Sequence, residues 1–263
     1  MQNKKIPIYQ IDAFTAERFR GNPAAVCILQ EWLPDETMQN IAAENNLAET
    51  AFVVSKGNSH ELRWFTPKVE VDLCGHATLA TAFVFKEHLN YEPEEMSFRT
   101  RSGVLKVVFG GNIMSMLFPS RPGTICEPPR QVIDGIKVQP VEVLKSVEDF
   151  MVVLRNEAEV VGLKPDLGII SKLEGRGMIV TSRGNEVDFV SRFFAPHAGI
   201  DEDPVTGSSH TTLIPYWSKK LHKKSMIALQ VSKRGGRLFC EDLGDKVKIA
   251  GKAVTYLTGE ITV

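Results

Sequence analysis

Arg63-Trp64-Phe65-Thr66-Pro67 followed by Cys74-Gly75-His76-Ala77-Thr78-Leu79, and Arg192-Phe193-Phe194-Ala195-Pro196 followed by Thr206-Gly207-Ser208-Ser209-His210-Thr211, set out the same features in the same order half a chain apart. In each stretch strand-forming residues end in an Arg-aromatic-Phe-x-Pro turn. An acidic loop follows (Glu70 and Asp72; Asp201, Glu202 and Asp203), and a glycine then opens a helix of small and apolar residues. An echo on this scale predicts two related halves. Outward from it lie many short strand-like runs, among them Ala51 to Ser55, Gly177 to Ser182 and Val187 to Phe194. Helical patterns are fewer: Asp35 to Asn45, His76 to His88, Val160 to Leu163 and Ser208 to Lys219. Val104 to Phe109 and Ile113 to Phe118, around Gly110-Gly111-Asn112, read as a hairpin. The mixture is α+β, without regular βαβ alternation. Residues 1–118 are expected to form an N-terminal domain, the proline-dense residues 119–139 a linker, and residues 140–263 a C-terminal domain, with a strand near 255–263 returning to the first.

The composition narrows the function classes. The chain has 263 residues, 43% apolar and 24% charged, which is ordinary for a folded globular protein. Thirty-one Lys and Arg against 32 Asp and Glu leave a net charge of −1, so no positive field exists to hold nucleic acid. Cys27, Cys74, Cys126 and Cys240 form no CxxC pair, which argues against a disulfide framework and a thiolate metal site and points to a reducing cytoplasm. The opening residues Met1 to Ile6 run into Pro7, too soon for a secretory signal, and no window approaches the roughly 18 apolar residues that a membrane span needs.

A helix N-terminus exposes unpaired N–H groups and the positive end of the dipole, and Gly75 and Gly207 let an anion approach that backbone. Two such starts imply a small organic acid as ligand; the plainer reading is that the glycines permit a turn and that Thr206 or Ser208 caps its helix. Glu49 stands at the entrance of an apolar strand, where burial suits a carboxyl to moving protons. His76 begins the first helix, whose dipole is expected to keep its ring neutral, and Asp203 closes the second acidic loop. This set needs no cofactor and no metal.

Six segments in order then resemble the phenazine biosynthesis PhzF-like family: Ile11 to Thr15, Phe19 to Val26, Asn46 to Phe52, Phe65 to Pro67, Asp72 to Ala80 and Glu202 to Ser208. The resemblance implies a diaminopimelate epimerase-like fold, with two pseudo-symmetric domains, each a mixed curled sheet around a central helix, and an active site between them. It also implies Glu49 as catalytic acid–base, with His76, Asp203 and Ser208 as catalytic partners. Substrate binding would fall to Gly75, Ala77, Thr206, Gly207 and Ser209, and the protein would be a homodimer that isomerises a small carboxylic acid. Epimerases of that fold oppose two cysteines; here Cys74 faces a Thr206, whose hydroxyl is too weak an acid to carry a proton near neutrality. In the family segment that corresponds to Gln230 to Arg237, Gly follows Gln; here Val231 does. Two alternatives stay open at this point: a carboxylate-binding or interaction domain without chemistry, and an epimerase or racemase pairing Cys74 with Glu49.

Overall fold

Strand β1 (Lys5–Ala13) leads into a reversal at Gly21, whose φ is +65° and whose missing Cβ would lie 2.1 Å from the Ala13 carbonyl oxygen. Only glycine fits there, and β2 (Asn22–Leu29) can therefore return antiparallel along β1, Ala13 opposite Asn22. The structure is a computed structural model that describes residues 4–57 and 59–263; Met1 to Asn3 of the N-terminal reading lie outside it. The chain divides into two compact units, Met1–Met116 with Ala250–Val263, and Leu117–Ile249.

After β2 the first unit continues with α1 (Asp35–Asn45), β3 (Glu49–Lys56), β4 (Ser59–Phe65), β5 (Glu70–Val71), α2 (Gly75–His88), β6 (Glu95–Thr100), β7 (Gly103–Gly110) and β8 (Ile113–Pro119), the last of which carries the chain over the division. Strand β2 runs parallel to β3, β3 antiparallel to β4, β4 antiparallel to β5 and parallel to β6, and β6 antiparallel to β7. Helix α2 packs on β1, β2, β3 and β7 and buries His76, Ala77, Leu79, Ala80, Val84 and Phe85, so it has almost no polar face. The hairpin read at residues 104–118 forms, Gly110 opposite Ile113.

The second unit holds β9 (Thr124–Ile125), α3 (Arg130–Ile136), β10 (Glu142–Lys145), β11 (Asp149–Val153), α4 (Glu157–Gly162), α5 (Leu167–Ile170), β12 (Gly177–Arg183), β13 (Phe189–Ala195), β14 (Ile200–Asp203), α6 (His210–Leu221), β15 (Ser225–Gln230), β16 (Gly236–Asp242) and β17 (Lys246–Gly251). Its pairings repeat those of the first: β11 parallel to β12, β12 antiparallel to β13, β13 antiparallel to β14 and parallel to β15, β15 antiparallel to β16. Strand β18 (Ala253–Thr262) lies along β1 in the first unit. Segment 119–139, expected as a linker, is instead built into the second unit: α3 buries Val132 and Ile136 in a core with Phe150, Val152, Met178 and Phe194. Proline density marks its irregular start and not an absence of packing.

The echo has a physical basis. Arg63 makes a two-pronged contact with Glu70, Nε and Nη2 each 2.7 Å from the carboxylate, and lies over the Phe65 ring at 5.2 Å. Arg192 does the same with Glu202 at 2.7 and 2.9 Å and lies over Phe194 at 4.8 Å. Each arginine thus ties the strand before the turn to the short strand after it. The residues read as an acidic loop at 201–203 are accordingly strand β14.

Candidate functional site

Glu49 is the first residue of β3 because α1 stops just before it. Asn46 takes the left-handed conformation (φ 47°) and returns its N–H to Ala42, Leu47 packs on the core, and the Asn45 side chain donates to Thr50. In this way the chain delivers Glu49 to the end of a central strand with its side chain 13% exposed, facing His76: Oε2 lies 3.1 Å from Nε2. The angle falls outside hydrogen-bond geometry, so the contact is electrostatic. The other ring nitrogen, Nδ1, meets the Asn22 amide nitrogen at 3.3 Å and Cys74 Sγ at 3.5 Å. Burial alone would lower the His76 pKa, but its polar neighbours, the Glu49 carboxylate among them, outweigh it and raise it well above the ordinary value. This reverses the neutral ring expected from the helix dipole, since a carboxylate at 3.1 Å acts more strongly than partial charges on backbone amides. Burial and Glu49 push the Cys74 thiol up, against a smaller pull from His76. Cys74 is therefore a thiol and a poor nucleophile. The donor atoms of Glu49, Cys74 and His76 lie within 4.8 Å of one another. Glu49 and Cys74 approach different ring nitrogens, however, which makes His76 a link between them and leaves no common point for an ion without turning the ring.

In the second unit the turn after β14 is held from inside. Gln230, 1% exposed at the end of β15, accepts from the Thr206 N–H at 2.8 Å and donates to the Asp203 carbonyl at 2.7 Å and to Thr206 Oγ1 at 3.1 Å. The Thr206 hydroxyl donates to Asp203 Oδ2 at 2.5 Å. Helix α6 begins at His210, not at Gly207; residues 207–209 form a tighter lead-in, with N–H to C=O bonds from 210 to 207, 211 to 208 and 212 to 209. A Cβ on Gly207 would meet nothing within 4 Å, so there is room beside this otherwise buried glycine. His210 donates Nδ1–H to the Thr206 carbonyl at 2.8 Å, as the Thr78 hydroxyl donates to the Cys74 carbonyl at 2.6 Å in the first unit. Gln230→Leu removes three bonds, among them those to the buried Thr206 N–H and to the Asp203 carbonyl. It is expected to cost about 3 kcal/mol of stability in urea unfolding, and a change below about 0.5 kcal/mol would show that the turn holds itself.

The residues named from sequence thus fall into two groups. Glu49, Gly75, His76 and Ala77 gather in the first unit, Ala77 fully buried in the first turn of α2. Asp203, Thr206, Gly207, Ser208 and Ser209 gather in the second, where the Ser209 hydroxyl is spent on the Thr206 carbonyl at 2.8 Å and only its backbone N–H stays available. Val231, noted where the family has glycine, packs against the core of its unit. Sequence reading missed Asn22, Arg176 and Gln230. Arg176 donates from Nη1 to Ser208 Oγ at 2.7 Å while its Nε and Nη2 grip Asp149. Asn22 stands inside a quoted segment, and Gln230 was noted only for its neighbour.

The family model described as "Phenazine biosynthesis-like protein" matches residues 11–124 and 129–259. An uncharacterized isomerase of Pseudomonas aeruginosa is 47% identical over 257 residues, 98% of this chain and 99% of that one. The crystal structure of a phenazine biosynthesis protein of the PhzF family from Enterococcus faecalis superposes with a TM-score of 0.96 at 44% identity, covering 99% of this chain and all of that one. A hydroxyproline epimerase from Agrobacterium vitis superposes with a TM-score of 0.62 at 10% identity and covers all of this chain and 92% of its own, a likeness of fold alone. The architecture is the diaminopimelate epimerase-like α+β fold, and no helix among the described residues is long and apolar enough to cross a membrane. The chain belongs to the PhzC-PhzF family of phenazine biosynthesis-like proteins and is an isomerase.

Proposed function

We propose that this protein moves a proton between carbons of a small carboxylic acid, without a cofactor, using Glu49 as the single acid–base group. The observation that carries the reading is the Glu49 carboxylate, mostly buried and set 3.1 Å from His76. Set at the end of its strand and against the His76 ring, the carboxylate is placed to take a proton from carbon. Glu49 takes that proton, which leaves the negative charge on the substrate, and returns it at a different carbon, and His76 stabilises the charge that develops on the substrate between the two steps. Asp203, held by Thr206, orients polar substituents of the substrate. The turn at 207–209 offers backbone N–H groups and the Ser208 hydroxyl to its carboxylate.

Cys74 is not a second proton carrier in this reading, because its thiol is pushed up by burial and its counterpart at 206 is a threonine. The test is incubation of small cyclic and amino carboxylic acids with the protein in D₂O, followed by proton NMR. Loss of a C–H signal with a new double-bond position is the expected result. Line broadening without exchange would reduce the protein to a carboxylate binder, and exchange with inversion at one carbon would make it an epimerase.

A further inference from the structure

Each unit carries a charged side chain, of opposite sign in the two, at the entrance of the corresponding strand, one residue apart in register. Thr50 opposite Phe65 and Met178 opposite Phe194 set β3 and β12 in the same register, so Arg176 and Gly177 stand where Ala48 and Glu49 stand in the first unit. In the first unit the charged side chain at that strand entrance reaches His76, the residue after Gly75; in the second it reaches Ser208, the residue after Gly207. We propose that Arg176 is the positioning residue that turns the Ser208 hydroxyl into a fixed donor for a substrate carboxylate. The proposal rests on the carboxylate role given above to the 207–209 turn.

The argument is one of proton accounting. A guanidinium has donors and no acceptor, so its Nη1–H at 2.7 Å occupies a lone pair of Ser208 Oγ. The hydroxyl proton must then be donated elsewhere. Among the described residues no acceptor takes it, nor the backbone N–H groups of Gly207, Ser208 and Ser209, and the space beside Gly207 is open. All four donors await an anion. Arg176 is itself immobilised: Asp149, 3% exposed, takes Nε at 3.0 Å and also takes Nη2, Glu148 Oε2 lies 3.7 Å from Nε, and the Phe193 ring stacks at 5.0 Å. These carboxylates offset much of its charge. What Arg176 passes to Ser208 is chiefly orientation, and a neutral ligand gains little from it.

Benzoate and its neutral amide, benzamide, are suitable probes, titrated into the full-length protein while the amide resonances of Gly207, Ser208 and Ser209 are followed. Benzoate should shift all three and bind about tenfold more tightly than benzamide. Combining Arg176→Met with Asp149→Asn removes both charges of the ion pair together, so that the buried Asp149 is not left unpaired. This pair should weaken benzoate about tenfold, leave benzamide unchanged, and have less than about a twofold effect when Ser208→Ala is already present. Arg176→Lys, which keeps the charge but cannot span Asp149 and Ser208 together, should fall between and covers the case in which the pair does not fold. Wild-type benzoate affinity in the pair or in Arg176→Lys, or equal weakening with and without Ser208, overturns the role of Arg176 and leaves the carboxylate site standing. Absence of any shift at residues 207–209 in the unaltered protein overturns the site and the proposal together.

Discussion

Glu49→Gln should lower turnover by roughly 10²- to 10⁴-fold, the usual worth of one positioned acid–base group, with the affinity for the carboxylic acid changed by less than about threefold. Glutamine keeps the shape of the side chain and can still face His76, so the strand end and the first turn of α2 are undisturbed. What disappears is the group that accepts a proton from carbon. The measurement is the rate of C–H exchange in D₂O for whichever acid the unaltered protein turns over, beside a binding isotherm for the same acid. A variant that exchanges protons at a comparable rate removes Glu49 from the chemistry. Loss of affinity in step with loss of rate would instead make Glu49 a binding group.

Acid should weaken the second unit through His210. The ring is fully buried, donates Nδ1–H to the Thr206 carbonyl and has no partner at Nε2 among the described residues; burial lowers its pKa to about 4. The unfolded chain binds a proton near pH 6.5 while the folded one does not until about 4, so stability rises with pH across that window and is lost as pH falls through it. The loss attributable to this one ring is about 3 kcal/mol between pH 7.5 and pH 4. His210→Gln keeps an N–H donor and cannot titrate. It should be less stable at pH 7.5, having lost the ring beside Phe189, yet show a flatter decline toward pH 4 in urea unfolding. His60, also lowered by burial, contributes in the same direction to both proteins and cancels in the comparison. Equal slopes would show that His210 reaches water when the protein is acidified.

The halves of the fold were legible because the features that build them are local. An arginine two residues before a phenylalanine, a proline two after it and an acid beyond the turn sit within about a dozen residues, and their contacts, Arg63 with Glu70 and Arg192 with Glu202, close over the same short span. Glu49 and His76 could be named from their own surroundings, a strand entrance and a helix start. The partners that hold the second group could not. Arg176 lies 32 residues from Ser208, and Gln230 lies 24 from Thr206. Each is brought in by a strand pairing whose register no periodicity in the sequence reveals. The direction in which the His76 pKa moves was hidden for the same reason, because the helix dipole is visible in sequence and the approach of Glu49 is not. The late start of α6 goes with the hydroxyls of Ser209 and Thr211, which bond the carbonyls of Thr206 and Ser208 and favour a tight turn over the first α-helical residues.

Strand β18 bears on how the chain is made. Its ten residues lie along β1, at the far end of the polypeptide, and every residue of the second unit is synthesised between the two. On a ribosome, the half whose synthesis begins first therefore closes second: the nascent β1 edge stays open until all of the second unit has been made, and the second unit can already be folded by then.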